Sequence, residues 1–226
     1  YPQNNQTMIP ISSPAYEYLR VISMEQRQVP ALIERPATKA RILESLDRVD
    51  YDELSPAARK LYLELMEELA PEPNYREGES LALDLGVELG FETYFQSEDD
   101  HVATSLPQSE RLDFLNFPVE GWLYDAVYTR MDFSLRKVPF IYEQAPKHDG
   151  NWTNVPAGLS QIDFQYPRTA TIAAGGNHWN LQIGRDALSY GSGRRGNLLV
   201  SEHIPYYNFF RGKVFWDAFT FFYNVM

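Results

Sequence analysis

The residues best suited to chemistry lie between 178 and 207, in a stretch rich in glycine, arginine and aromatic side chains. Residues 191–196 read Gly-Ser-Gly-Arg-Arg-Gly, a composition that could hold a phosphate. The order G-x-x-x-x-G-K-[ST] is absent, and no G-x-G-x-x-G motif opens a helix here. A turn between two strands is therefore the default interpretation, and we do not expect a nucleotide site.

A metal site would have to use His178, Asp186 or the pair Glu202-His203. These residues do not match a ligand pattern such as H-E-x-x-H, which sets two imidazoles on one helix face. The chain contains no cysteine, which excludes thiolate ligands, disulfides and a Cys–His pair. We expect no metal and no other cofactor.

Three carboxylates, Asp84, Glu88 and Glu92, fall on even positions of one segment, which places them on one face of a strand. A glycosidase needs two carboxylates at a defined separation in a cleft, whereas an evenly spaced row is typical of a solvated or lumenal face. No G-x-S-x-G elbow occurs either. The sequence therefore predicts a protein that is not an enzyme.

Sugar binding is compatible with the aromatic residues near the glycine-rich loop, because rings stack on sugars and polar groups bind hydroxyls. The candidate polysaccharide-binding residues are Trp152, Arg185, Asp186, Tyr190, Arg194, Arg195, Asn197, Tyr206 and Tyr207. For Arg194 and Arg195, ligand binding and plain solvation fit equally well. Trp179 falls on the apolar side of a strand, which favours an interfacial anchor or a core residue.

The composition argues against some classes of binding partner and favours others. A net charge of −11 argues against a nucleic acid or an anionic surface held by charge alone. Aromatic residues make up 14%, which suits carbohydrate stacking or the aromatic girdles of a membrane barrel. No apolar run approaches the ~20 residues that a spanning helix needs.

Proline and capping residues predict a helical N-terminal domain over residues 1–76. Ser13-Pro14 and Ser55-Pro56 each combine a cap with proline at the first helical position, and Thr38 can cap a helix between them. We expect helices at 14–26, from Thr38 to about 49, and from 56 to Pro71.

Residues 77–226 predict long antiparallel strands. Seven of the eight odd positions from 81 to 95 are apolar, which indicates one two-faced strand; a second runs over 122–137. The polar face of this second strand carries charges, which indicates that it faces a water-filled lumen. There the acids of the first strand could pair with Arg130 and Arg136. The predicted lumen-facing charges are Asp84, Glu88, Glu92, Arg130, Asp132 and Arg136.

The remaining segments are assigned from turn signals. We expect a loop at 97–120, either a loop or two short strands at 139–168, and a hairpin of 168–174 with 177–186 turning at Gly175-Gly176. An aromatic loop is predicted at 203–212, followed by a strand at 213–226.

Two stretches resemble the Wzi-like capsule-assembly family: RPATKARILESL at 35–46 and QIGRDALSYGSGRRGNLLVS at 182–201. Tyr190 stands where that family's pattern often has tryptophan. The resemblance implies an outer-membrane β-barrel with a periplasmic helical domain, which binds polysaccharide and helps to hold a capsule at the cell surface. With about six strands, below the ~8 of a closed single-chain barrel, we expect the front part of a longer barrel.

The combined prediction is an α+β chain, a small helical bundle followed by a partial transmembrane-type barrel. Its expected partners are capsular or extracellular polysaccharide and outer-membrane lipid, and its expected location is the bacterial outer membrane. Two alternatives stay open: a soluble periplasmic β-rich carbohydrate-active enzyme, and a general porin-like channel.

Overall fold

Three helices precede a large antiparallel sheet in the described part of the chain, which confirms the predicted α+β class. The computed structural model describes residues 4–28, 34–70, 73–78, 80–93, 112–137, 153–163, 167, 169–191, 197, 200, 204, 206–216 and 219–226. None of the helices among these residues is long and apolar enough to cross a membrane.

The helices begin close to the capping residues that predicted them. They are α1 (Ala15–Glu25), α2 (Lys39–Leu46) and α3 (Pro56–Glu68). At the start of α3, Ser55 Oγ accepts a hydrogen bond from the Ala58 N–H at 3.3 Å, and Pro56 occupies the first helical position. Helix α2 ends three residues before the predicted limit.

The helices bury one apolar stripe each in a shared core, as amphipathic helices of a soluble bundle do. This core consists of Ile9, Ala15, Tyr16, Leu19, Ile22, Ala37, Ile42, Leu46, Leu54, Ala58, Leu65 and Leu69. Burial raises the pKa of Tyr16, whose hydroxyl donates to the Ile9 carbonyl at 2.6 Å and accepts from the Ala37 N–H at 2.8 Å. We call residues 4–70 the helical unit.

Three two-residue strands accompany the helical unit: β1 (Met8–Ile9), β2 (Glu34–Arg35) and β3 (Ala37–Thr38). The later strands are β4 (Tyr75–Glu77), β5 (Leu81–Leu85), β6 (Glu88–Leu89), β7 (Leu115–Leu123), β8 (Val127–Lys137), β9 (Ile162–Asp163), β10 (Thr169–Gly175), β11 (Trp179–Asp186), β12 (Ser189–Tyr190), β13 (Tyr207–Trp216) and β14 (Phe219–Val225). Strand β1 pairs with β3, and β2 with β12.

The large sheet is an antiparallel meander in the order β4-β5-β7-β8-β10-β11-β13-β14. Short β6 also pairs with β7, and β9 with β8. Each long strand therefore lies beside its neighbours in the chain, the arrangement of an up-and-down sheet. Within the described residues, β4 and β14 form open edges, so the sheet is not a closed barrel.

The prediction of one continuous strand over 81–95 is wrong, because the segment forms two separate strands, β5 and β6. Strands β5 and β6 keep one register on β7, with Leu85 opposite Val119 and Glu88 opposite Asn116. Between them Gly86 faces Pro118, which accepts a hydrogen bond from the Gly86 N–H at 2.9 Å. Proline has no N–H to return the second bond, so the regular ladder is interrupted there.

Two predicted loops contain strands. Strand β7 fills part of the predicted loop at 97–120, and the turn at 124–126 separates it from β8, so the predicted strand start at 122 is wrong. Strand β13 begins at Tyr207, inside the predicted aromatic loop. The β10–β11 hairpin is confirmed, but the predicted turn at Gly175-Gly176 is wrong: Gly175 still pairs with Asn180, and the turn lies at 176–178.

The sheet has one apolar and one polar face, because directly opposed residues of paired strands share a face. The apolar face comprises Leu83, Leu85, Phe117, Val119, Met131, Phe133, Ile172, Leu181, Ile183, Phe210, Val214, Phe221, Tyr223 and Val225. The polar face comprises Asp84, Glu120, Tyr128, Arg130, Asp132, Ser134, Thr171, Asn180, Gln182, Arg211 and Lys213. The apolar face is largely exposed, whereas most of the polar face is buried.

Candidate functional site

The two ends of the sheet differ. At one end, which we call the turn end, strands are joined by the short connections 78–80, 124–126, 176–178 and 217–218. At the other, the loop end, they are joined by residues 90–114, 138–168 and 187–206. The predicted polysaccharide-binding residues belong to the loop end or to its connections.

Buried polar side chains hold the helical unit against the polar face. Arg211 is fully buried; its guanidinium donates to Gln182 Oε1 at 2.8 Å and to the Pro36 carbonyl at 2.8 Å. Gln182 in turn donates to Asn180, and Asn180 donates to Gln6 Oε1 at 2.7 Å. A chain of hydrogen bonds therefore links two strands to two separate segments of the helical unit.

A buried ion pair and two further contacts strengthen this attachment. Lys213 Nζ lies 2.7 Å from Glu34 Oε1, and both side chains are almost fully buried. Trp122 Nε1 donates to Thr7 Oγ1 at 2.8 Å. At the turn end, Asn4 Nδ2 donates to the Val127 carbonyl at 2.6 Å. The helical unit thus covers the polar face from the turn end to mid-sheet.

Towards the loop end, the polar face carries acidic side chains around one arginine. Arg130 Nη2 lies 3.0 Å from Asp132 Oδ2, and Arg130 Nη1 lies 3.8 Å from Glu120 Oε1. Thr169, opposite Asp132 on β10, donates to Asp186 Oδ1 at 3.4 Å. We call Glu120, Arg130, Asp132 and Asp186 the loop-end polar cluster; such carboxylates can accept hydrogen bonds from sugar hydroxyls.

Aromatic side chains lie beside this cluster on the same face. Tyr207 is opposite Asp186 in the β11–β13 pair. Tyr207 and Tyr190 both pack against the buried group of Leu188, Val200 and Phe209. Burial raises the pKa of the Tyr190 phenol. Half-buried rings next to carboxylates give the loop end both stacking surfaces and hydrogen-bond acceptors, the two kinds of group that a sugar requires.

Gly184 lies between these groups, and its backbone packs closely against strand β10. It stands opposite Phe209 on β13 and Thr171 on β10. Its φ of +152° is unfavourable for residues with a side chain, and an added Cβ would collide with the Ala170 carbonyl oxygen. This position beside the cluster therefore requires glycine.

The predicted polysaccharide-binding residues are divided between the two faces. Asp186, Tyr190 and Tyr207 lie on or beside the polar face, and Asn197 donates to Ser189 Oγ at 2.8 Å. Arg185 and Tyr206 lie together at the loop end of the apolar face, where the guanidinium stacks over the ring at 4.3 Å. Trp152, Arg194 and Arg195 lie outside the described residues.

The predicted lumenal charges have different partners from those expected. Asp84, Glu88 and Arg130 share the polar face, but Arg130 pairs with Asp132 and Glu120, and Arg136 pairs with Asp113. The acids of the first strand instead accept hydrogen bonds from neutral donors: Asp84 from the Asn74 N–H, Glu88 from Asn116 Nδ2 and Glu92 from the Leu112 N–H. The predicted pairing with Arg130 and Arg136 is therefore wrong.

The suggested metal ligands do not converge. His178 lies in the turn before β11 and Asp186 at its far end, so one strand length separates them; Glu202 and His203 lie outside the described residues. In the part of the chain that is described, no group of three or more histidine or acidic side chains could hold a metal ion.

Sequence reasoning missed Glu120 and the buried residues Arg211, Lys213 and Glu34. Glu120 lies in a segment where Asn116, Glu120 and Trp122 alternate with Phe117 and Val119, a pattern typical of a strand. Pro118 within this segment argues against a strand, so no strand was predicted there. A signal for Arg211 and Lys213 also existed, since they alternate with apolar residues along β13.

Comparisons with other proteins assign no family. No family model matches this chain, and searches of curated proteins and of solved structures gave no match.

Proposed function

We propose that this chain belongs to an outer-membrane β-barrel protein that binds capsular or extracellular polysaccharide without catalysis and helps to assemble or hold it at the cell surface. The observation that carries the proposal is the reversed burial of the sheet. Its apolar face is exposed, and its polar face is covered by polar contacts. A sheet in water buries its apolar face, whereas a membrane barrel turns that face to lipid.

Strand length and connectivity support the same proposal. Strands β7, β8 and β13 contain 9, 11 and 10 residues, which agrees with the ~9–11 residues of a tilted membrane strand. Short turns at one end and long connections at the other are typical of outer-membrane barrels, with the long connections outside the cell. The helical unit would then lie towards the periplasm.

Aromatic residues fit the two membrane boundaries. Trp179, Trp216 and Phe219 occupy the turn end of the apolar face, and Tyr206 lies at the loop end. Such residues are enriched at both interfaces of a bilayer. The loop-end polar cluster, with Tyr190 and Tyr207, is the part of the interior to which we assign polysaccharide binding.

Cell fractionation tests the membrane assignment. We expect the protein in the outer-membrane fraction of the cells that make it, resistant to carbonate extraction, with a gel mobility that changes on heating. Recovery as a soluble protein would contradict the assignment and favour the soluble β-rich alternative.

Polysaccharide binding needs its own measurement. Purified protein should bind the surface polysaccharide of its own cells, and Asp186→Asn should weaken that binding. Asp125→Asn, an acidic residue in a turn at the opposite end, is the matched control and should bind as the unaltered protein does. Ion conductance without polysaccharide binding would support the porin-like alternative instead.

A further inference from the structure

Arg185 is a charged residue on the largely apolar face of the sheet. The other described side chains that strands β7 to β14 place on this face are uncharged. Arg185 lies at the loop end of β11, two residues beyond the exposed Ile183. A charged group at this position needs either water or an oppositely charged partner.

Two neighbours hold the guanidinium of Arg185. Its Nε donates to Asn208 Oδ1 at 2.9 Å, and its central carbon lies over the Tyr206 ring, 4.3 Å from the ring centre. No other hydrogen bond joins the Arg185 guanidinium to the described residues. The two terminal Nη groups therefore keep donors for a ligand, and a guanidinium fork matches the oxygens of a phosphate.

An open groove of about 550 Å³ lies beside Arg185 at the loop end of the apolar face. Its walls include Ile183, Phe210 and Val225, whose side chains are exposed, and Asn208 stands beside Arg185 at the loop end. The groove is thus lined mainly by apolar residues, and Arg185 is the one charged residue in its lining. That combination matches a lipid, which carries an acyl chain and an anionic headgroup.

We propose that Arg185, positioned by Asn208 and Tyr206, binds the phosphate of an anionic lipid in the leaflet at the loop end, with an acyl chain of that lipid in the groove. This inference rests on the proposed membrane location. With a net charge of −11, the chain as a whole repels anionic lipids, so their binding requires a local cation.

Lipid titration of the purified protein in a neutral detergent, followed by native mass spectrometry, tests the site. The probes are dioleoyl phosphatidylglycerol and dioleoylglycerol, which share acyl chains but differ in the phosphate. We expect Arg185→Gln to weaken phosphatidylglycerol binding about tenfold, because charge-assisted hydrogen bonds are lost. Binding of dioleoylglycerol should not change.

Arg59→Gln is the matched control. Arg59 also stacks on a tyrosine, with its guanidinium 5.4 Å from the Tyr51 ring centre, and donates to the Asp52 carbonyl at 2.5 Å, but it belongs to helix α3. This variant should bind both lipids as the unaltered protein does. Asn208→Ala, which frees Nε but keeps the charge, should weaken phosphatidylglycerol binding about threefold and serves if Arg185→Gln does not fold.

Three results would overturn the site: unchanged phosphatidylglycerol binding in Arg185→Gln, an equal loss for both lipids, or an equal loss in Arg59→Gln. Unchanged binding in a protein that still fractionates with outer membranes would overturn the lipid site alone. A protein that stays soluble without detergent would overturn the proposed membrane location as well.

Discussion

The helical unit and the sheet follow opposite rules of burial. In helix α3, Leu65 is fully buried in the apolar core of the helical unit, whereas Leu63, on the other side of the helix, is 59% exposed. In strand β11, Gln182 is 1% exposed and Ile183 is 58% exposed. Both elements are amphipathic, yet the helix buries its apolar side and the strand buries its polar side.

This difference shows that amphipathic patterns identify faces but not their surroundings. Water favours burial of apolar surface at about 25 cal/mol per Å², so an exposed apolar sheet is costly in water and favourable in lipid. A buried polar face is stable only when its groups find partners, which the helical unit supplies through Gln6, Glu34 and the Pro36 carbonyl.

The largest effect should come from the polar interface. Arg211→Met leaves the buried acceptors of Gln182 and Pro36 without their donor, which should lower the free energy of unfolding by about 4 kcal/mol. Urea unfolding of the protein in detergent, followed by circular dichroism, measures this loss. The matched variant Phe210→Met, one residue away on the apolar face, should change it by less than about 1 kcal/mol. Equal effects would remove the contrast between the faces.

A buried leucine of the helical unit should behave in the ordinary way. Leu65→Ala creates a cavity in the apolar core and should cost about 3 kcal/mol. Leu63→Ala, on the exposed side of the same helix, should stay within about 0.5 kcal/mol of the unaltered protein. The same unfolding measurement, at the helix signal of 222 nm, compares the two. If Leu63→Ala cost as much as Leu65→Ala, the exposed side of α3 would have to be covered in solution.

Tyr16→Phe tests the one buried phenol that joins α1 to β1 and β3. It leaves the Ile9 carbonyl and the Ala37 N–H unpaired, which should cost about 2 kcal/mol at neutral pH. Because burial raises the pKa of Tyr16, the folded state keeps a proton that the unfolded state loses above about pH 10.

The contribution of Tyr16 to the free energy of unfolding is therefore fully present below about pH 10. Above that pH it should fall by about 1.4 kcal/mol per pH unit. When the free energy of unfolding is measured between neutral pH and pH 11, the Tyr16→Phe variant should not show this decrease. Parallel curves for the two proteins would show that Tyr16 does not titrate as its burial requires.

Ser55→Ala should have the smallest effect. It removes the cap of α3, in which Ser55 Oγ accepts from the Ala58 N–H, and should cost about 1 kcal/mol. Thermal unfolding at 222 nm provides the measurement. Thr38→Ala is the comparison: Thr38 stands at the cap position of α2 without a side-chain cap hydrogen bond, so its loss should cost less. The reverse order would contradict the capping geometry.

Much of the fold follows from local signals. Proline with a capping residue marks the start of α3, and alternation marks β5, β8 and β11, including which side chains share a face. These features depend on residues close together in the chain, so the sequence contains them directly. The break at Gly86 and the strand β7 depend instead on Pro118. A proline in the sequence argues against a strand, although the sheet tolerates it at this position.

The candidate site was less predictable because it depends on contacts between distant residues. The hydrogen bonds from Arg211 to Pro36 and from Asn180 to Gln6 join positions more than 170 residues apart. The predicted pairing of Arg130 with the first strand was wrong because Asp132, two residues along its own strand, is a closer partner. Alternation also separates Arg185 from Asp186, although they are adjacent in sequence.

Accessibility of single spin labels along β11 tests the central claim most directly. The chain has no cysteine, so Leu181→Cys, Gln182→Cys and Ile183→Cys each give one labelled site in protein reconstituted in lipid bilayers. We expect labels at 181 and 183 to collide with oxygen, which concentrates in lipid, and the label at 182 to be shielded from both oxygen and a water-soluble nickel complex. Labels at 181 and 183 that are shielded from oxygen, or reached by the nickel complex, would show that this face does not contact lipid.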